Sequence, residues 1–155
     1  MSHCIQIIVA PAEFADSIRL RWSRLASLRR ESGFGLFPVD YELIDEKIAP
    51  IMTPRATSNQ FMLLTPAFEQ YLGELSIGGR LAYLETEYWG GTGGQGAVAC
   101  KNGNLLMKPQ WGASGTINRA LELIGVPRPQ VGDRFSAIGL EVIRSNDDLL
   151  DLIRL

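Results

Sequence analysis

Histidine occurs once in these 155 residues and cysteine twice, as His3, Cys4 and Cys100. Zinc needs about four converging ligands, or three beside a water. One histidine and two cysteines far apart in the chain make no such set, so neither a metal nor another cofactor is expected. A serine or cysteine nucleophile needs a neighbouring base, and nothing marks His3 as that base. A dense disulfide framework is excluded as well; reduced thiols are the expected state, with the approach of Cys4 to Cys100 left open.

Basic residues are not in excess: 15 Lys and Arg face 17 Asp and Glu, a formal net charge of -2. Nothing here advertises the positive field that nucleic acid requires. No window approaches the roughly 18 consecutive apolar residues of a membrane span. The start, MSHCIQIIVAPAEF, lacks a basic leader with a cleavage site, so a cytoplasmic protein is expected.

What remains is ordinary globular composition, 46% apolar and 21% charged, enough for a single compact domain over 1–155. Cys4 to Ala10 reads as a strand flanked on both faces, ended by Pro11. Phe14, Ile18, Trp22, Leu25 and Leu28 recur at three- and four-residue steps, which predicts a helix from Ala12 to Arg30 with Arg29 and Arg30 at its C-terminal end. Val39 to Ile48 reads as a short acidic helix, Thr53 to Gln60 as a loop, and Phe61 to Leu64 as a strand or the lead-in to a helix. Thr65 and Pro66 form an N-cap with proline in the first turn, opening a helix striped by Phe68, Tyr71, Leu72 and Leu75.

Arg80 to Trp89 reads as a strand. Gln95 to Cys100 and Leu105 to Pro109 form a hairpin around Asn102-Gly103, which places Val98 and Cys100 on one face with Leu105 and Met107. Ser114 to Ile124 is a helix capped by Ser114 or Thr116; Phe135 to Ile143 is a loop or short strand; Asp147 to Leu155 is a terminal helical turn. Successive central strands without crossover helices imply an α+β fold, a mainly antiparallel sheet of about four to five strands with helices packed on one face.

The stretch YLETEYWGGTGGQG, Tyr83 to Gly96, stands apart from this packing. It lacks the lysine and hydroxyl residue of a phosphate loop and opens no helix, so it reads as a long glycine connection or a bulge. Alternation puts Tyr83, Glu85, Glu87 and Trp89 on one face, with the two carboxylates about 6.5–7 Å apart along the strand. Such a pair suits acid and base roles in a hydrolase or isomerase, but any exposed acidic strand has the same spacing. Aromatic anchors around acids also suit recognition of a basic protein partner. That face comprises Tyr83, Glu85, Glu87, Trp89, Gly91, Gly94, Gln95 and Trp111. Residues 36 to 99 carry eight acids against three basic residues, which favours the same kind of partner.

Two segments, LAYLETEYWGGTGGQGAVACKNG (81 to 103) and GTINRALELIGV (115 to 126), resemble small bacterial proteins of toxin-immunity neighbourhoods. The resemblance implies a non-enzymatic protein that binds and blocks a toxic effector, and it carries over no catalytic residue. The leading expectation is therefore a non-catalytic protein-recognition domain, an immunity-type inhibitor meeting a basic toxin through its acidic, aromatic face. The alternatives are a paired-glutamate enzyme and a structural or phage-related assembly protein; a homo-oligomer is compatible with each.

Overall fold

The computed structural model describes residues 2–48 and 60–155. In chain order they form β1 (Ser2–His3), β2 (Gln6–Pro11), α1 (Ala12–Arg21), β3 (Leu28–Arg29), β4 (Phe34–Pro38), α2 (Tyr41–Lys47), α3 (Pro66–Leu75), β5 (Arg80–Trp89), β6 (Thr92–Lys101), β7 (Asn104–Gly112), α4 (Thr116–Leu123), α5 (Arg134–Ala137) and α6 (Asn146–Ile153). The expected loop at Thr53 to Gln60 lies, apart from Gln60, outside the described residues.

The fold is α+β, around a seven-stranded sheet in the order β3-β4-β2-β5-β6-β7, with β1 also paired to β5. All of these strand pairings are antiparallel. The count exceeds the expected four to five because two-residue strands, β1 and β3, carry too little pattern to be read.

Helices cover both faces of the sheet rather than one. Alternation along each central strand divides the buried side chains between two cores. Ile7, Val9, Leu36, Ala82, Leu84, Ala97 and Ala99 meet Ile117, Leu121 and Leu149 of α4 and α6. Ile8, Ala10, Phe37, Leu81, Tyr83, Val98 and Cys100 meet Phe14, Ile18, Ile44, Phe68 and Leu72 of α1, α2 and α3. The continuous apolar run of β2 is the sequence mark of a strand buried on both sides.

That division shortens the first helix. Trp22, with φ -138 and ψ 76, leaves helical geometry, and the chain turns to β3 instead of continuing to Arg30. Trp22 and Leu25 belong to the core under α1, whereas Leu28 packs against the opposite one. One helical stripe cannot serve both faces of a sheet.

Local turn and cap chemistry sets the other boundaries. Thr65 accepts from the Phe68 amide at 3.1 Å, with proline in the first turn of α3. Asn102 (φ 49) and Gly103 (φ 87) supply the positive angles of a two-residue turn, and Lys101 opposes Asn104 as expected. Past that turn the register slips: Cys100 faces Leu105, but Ala99 faces Met107. The extra residue in β7 turns Met107 into the α4-side core, away from the face of Val98 and Cys100 where simple alternation placed it.

The C-terminal segments are more helical than expected, with α5 forming inside the presumed loop or strand. In α6, Ser145 caps the Asp148 amide at 3.0 Å. Asn146 there bonds the Gln6 amide and carbonyl at 2.9 and 3.1 Å, tying the last helix to the first long strand. His3 is likewise tied to the C-terminal part of the chain. Its Nε2 donates to the Leu140 carbonyl at 2.8 Å, and its Nδ1 is hydrogen-bonded to the Thr86 hydroxyl at 2.7 Å.

Candidate functional site

β5 runs beneath α3 and emerges at the end of the sheet, so burial falls along its length. Tyr83 is fully buried and Glu85 is 1% exposed, whereas Glu87 is half-buried and Trp89 is 60% exposed. The alternating face is therefore two regions, one internal and one accessible.

Glu85 belongs to the inside. Its Oε1 accepts from the Met62 amide at 2.6 Å, and its Oε2 accepts from the Leu63 amide at 2.9 Å and the Tyr83 hydroxyl at 2.7 Å. A buried carboxylate is tolerable only with such donors. Burial pushes its pKa above the usual glutamate range, against the lowering effects of Tyr83 and the Met62, Leu63 and Leu64 amides. Burial and the neighbouring carboxylate raise the Tyr83 phenol well above its ordinary value, and its ring stands edge-on to Phe68 at 5.0 Å. The arrangement clamps the segment leading into α3 onto the sheet. Phe61 and Leu64, on either side of the clamped amides, are both buried.

This corrects the proposed face. Tyr83 and Glu85 cannot touch a partner, and internal donors already occupy both oxygens of Glu85. With Glu85 buried on internal donors and only Glu87 accessible, the pair is not presented together as one group that gives and one that takes a substrate proton.

The glycines prove to be packing and turn residues. Gly90 (φ 58) and Gly91 (φ 86) make a tight hairpin turn, so β6 starts at Thr92 and there is no long glycine connection. Trp89 pairs with Thr92 across that turn, and the Thr92 hydroxyl donates to the Trp89 carbonyl at 2.9 Å. Gly94 and Gly96 are buried because rings lie on them. A Cβ at Gly94 would meet the Trp111 indole nitrogen, and one at Gly96 would come within 2.5 Å of Phe61 and 2.6 Å of Trp111. Those two rings meet edge to face at 5.5 Å.

Gln95 points to the other side of β6. Its Oε1 accepts from the Ile117 amide at 2.7 Å, and its Nε2 donates to the Tyr88 hydroxyl at 3.0 Å. The N-cap of α4 is Gly115, with no side-chain cap, so Gln95 serves where Ser114 or Thr116 was expected. It is a structural residue rather than a contact.

The accessible remainder is compact in sequence terms: Glu87, Trp89 and the Gly91 turn on one hairpin, with half-buried Trp111 seated over Gly94, the strand partner of Glu87. Among the described residues the Glu87 carboxylate makes no hydrogen bond or ion pair, unlike that of Glu46, which meets Arg24 at 3.1 Å. Met62, 48% exposed, joins this region because Glu85 holds its amide. Sequence reading missed it, since only the fold brings residue 62 to β5.

Among the described residues no group of three or more His, Cys, Asp or Glu is placed to hold a metal ion. None of their helices is long and apolar enough to cross a membrane. Both cysteines are free, and burial pushes the Cys100 thiol up to about 12. No protein-family model, curated protein or solved structure matches the chain.

Proposed function

We propose that the chain is a non-catalytic protein-recognition domain of the immunity type, which inhibits a basic toxin or effector through the end of the β5–β6 hairpin. The observation that carries the reading is Trp89, a large indole 60% exposed beside a tight turn and on the same strand face as Glu87. A rigid aromatic loses little conformational freedom when it is covered, and indoles are frequent binding anchors. Among the described residues the Glu87 carboxylate meets no cation, so a lysine or arginine of the partner finds a half-desolvated carboxylate available. Trp111, over Gly94, and the exposed Met62, whose amide Glu85 holds, add apolar surface. Occupying a basic toxin's cationic substrate site with this acidic, aromatic end blocks the toxin without any reaction. A cytoplasmic setting belongs to the same reading and agrees with two unpaired thiols.

The test is differential capture on immobilised protein from cells that carry the gene, followed by titration of whatever is captured. Trp89→Ala weakens the complex by about 2 kcal/mol or more if the indole is an anchor. Glu87→Gln slows association and flattens its salt dependence. Equal binding by all three proteins removes the hairpin end from the interface.

A further inference from the structure

We propose that the cleft between the β3–β4 turn and α5 binds a small phosphate-bearing ligand, with Arg29 and Arg30 as the groups that recognise the phosphate. The cleft, about 510 Å³, is lined by Arg29, Arg30, Glu31, Ser32 and Ala137. That volume falls within the range of small-molecule sites, roughly 300–1,000 Å³. Its walls come from two distant parts of the chain, so it exists only in the folded protein.

The two arginines are held there by structure. Because α1 ends at Arg21, Arg29 is in an edge strand paired to Gly35, and Arg30 begins a turn closed by main-chain bonds. The Arg30 amide donates to the Phe34 carbonyl at 2.8 Å, and the Gly33 amide donates to the Arg30 carbonyl at 3.0 Å. The Arg30 guanidinium lies directly against the main chain at Gly139, where a Cβ would collide with it. It is thereby fixed at the cleft wall rather than free in solvent.

Neither guanidinium has a hydrogen bond or ion pair among the described residues, although Arg21, Arg24, Arg119 and Arg134 all have one or both. Arg30 is moreover half-buried, so its charge is partly desolvated without compensation. A planar fork in that state suits bidentate contact with an oxyanion, and the Ser32 hydroxyl adds a further donor. Two arginines lining one cleft match the double charge of a phosphate monoester better than the single charge of a carboxylate. Glu31 on the same wall opposes an anion, which provides a test of sign.

The experiment is a titration of the ¹⁵N-labelled full chain, at constant ionic strength, with inorganic phosphate, with glycerol phosphate and with acetate. The expected result is saturable movement of the amide signals of residues 29–32 and 137–139 with both phosphates, and much weaker movement with acetate. Arg30→Gln lowers phosphate affinity about tenfold or more, Arg30→Lys lowers it less, and Glu31→Gln raises it. Should Arg30→Gln fail to fold, Arg29→Gln and Arg30→Lys carry the same comparison. Shifts that never saturate, or that ignore these substitutions, overturn the site; acetate binding as tightly as phosphate overturns the ligand class.

Discussion

Replacing Glu85 by glutamine exchanges one oxygen for a nitrogen in a pocket made of donors. Today Oε1 serves the Met62 amide, and Oε2 serves the Leu63 amide and the Tyr83 hydroxyl. A glutamine can orient its single oxygen toward one side only. In either orientation its amide N–H groups face a main-chain N–H, at 2.6 Å from Met62 or 2.9 Å from Leu63. One orphaned buried donor costs about 1–3 kcal/mol, and the surviving bonds lose their charge assistance. Relief from burying a charge offsets part of this, leaving a net loss of about 2–3 kcal/mol. For a chain of this length that lowers the melting midpoint by roughly 5–10 °C. Urea and thermal unfolding of Glu85→Gln beside Glu87→Gln measure it directly. The half-buried Glu87 carboxylate has no bond to lose among the described residues, and its variant stays within about 0.5 kcal/mol of the parent. A Glu85→Gln protein as stable as the parent, or a Glu87→Gln protein equally destabilised, refutes the clamp.

Three further outcomes follow from the same geometry. The folded pKa of Glu85 lies above its unfolded value, so its contribution to stability is fully present below the ordinary glutamate range and is lost as pH rises through the raised value. Tyr83→Phe removes a donor that lowers this pKa, so the variant's deficit, about 1 kcal/mol or more, widens as pH increases through that window. Denaturation at a series of pH values checks this, and a deficit independent of pH contradicts it. Gly96→Ala forces Phe61 and Trp111 off the sheet at an expected cost of about 1–3 kcal/mol with a red shift in tryptophan emission; unchanged emission and midpoint contradict the packing. Trp89→Ala changes the unfolding stability by no more than about 0.5 kcal/mol, since the indole is 60% exposed, and a large loss shows that it packs internally.

Sequence legibility followed the range of the interaction concerned. The Asn102-Gly103 turn, the Thr65 cap and both ends of β5 were readable because each depends on a few adjacent residues. Trp22, Leu25 and Leu28 kept helical spacing past the end of α1 because periodicity does not record which core receives each residue. The β7 register shift was invisible for a similar reason: a single extra residue changes the facing of Met107 without changing composition. Alternation correctly put Tyr83, Glu85, Glu87 and Trp89 on one face. It gave no information on where α3 and its lead-in stop covering that face, so internal and accessible residues were grouped together. Gln95 and Gly94 read as contacts in the sequence because their partners, Ile117 and Trp111, lie well outside the local window. No feature near Met62 connects it to Glu85.

Strand β5 is thus divided, with Glu85 holding the fold and Glu87 with Trp89 proposed to meet a partner. Binding of the captured partner by the parent, Glu87→Gln and Trp89→Ala proteins, each first matched for melting midpoint, tests it most directly. Both variants should lose affinity with the midpoint unmoved; undiminished affinity in both, at full stability, removes Glu87 and Trp89 from the interface.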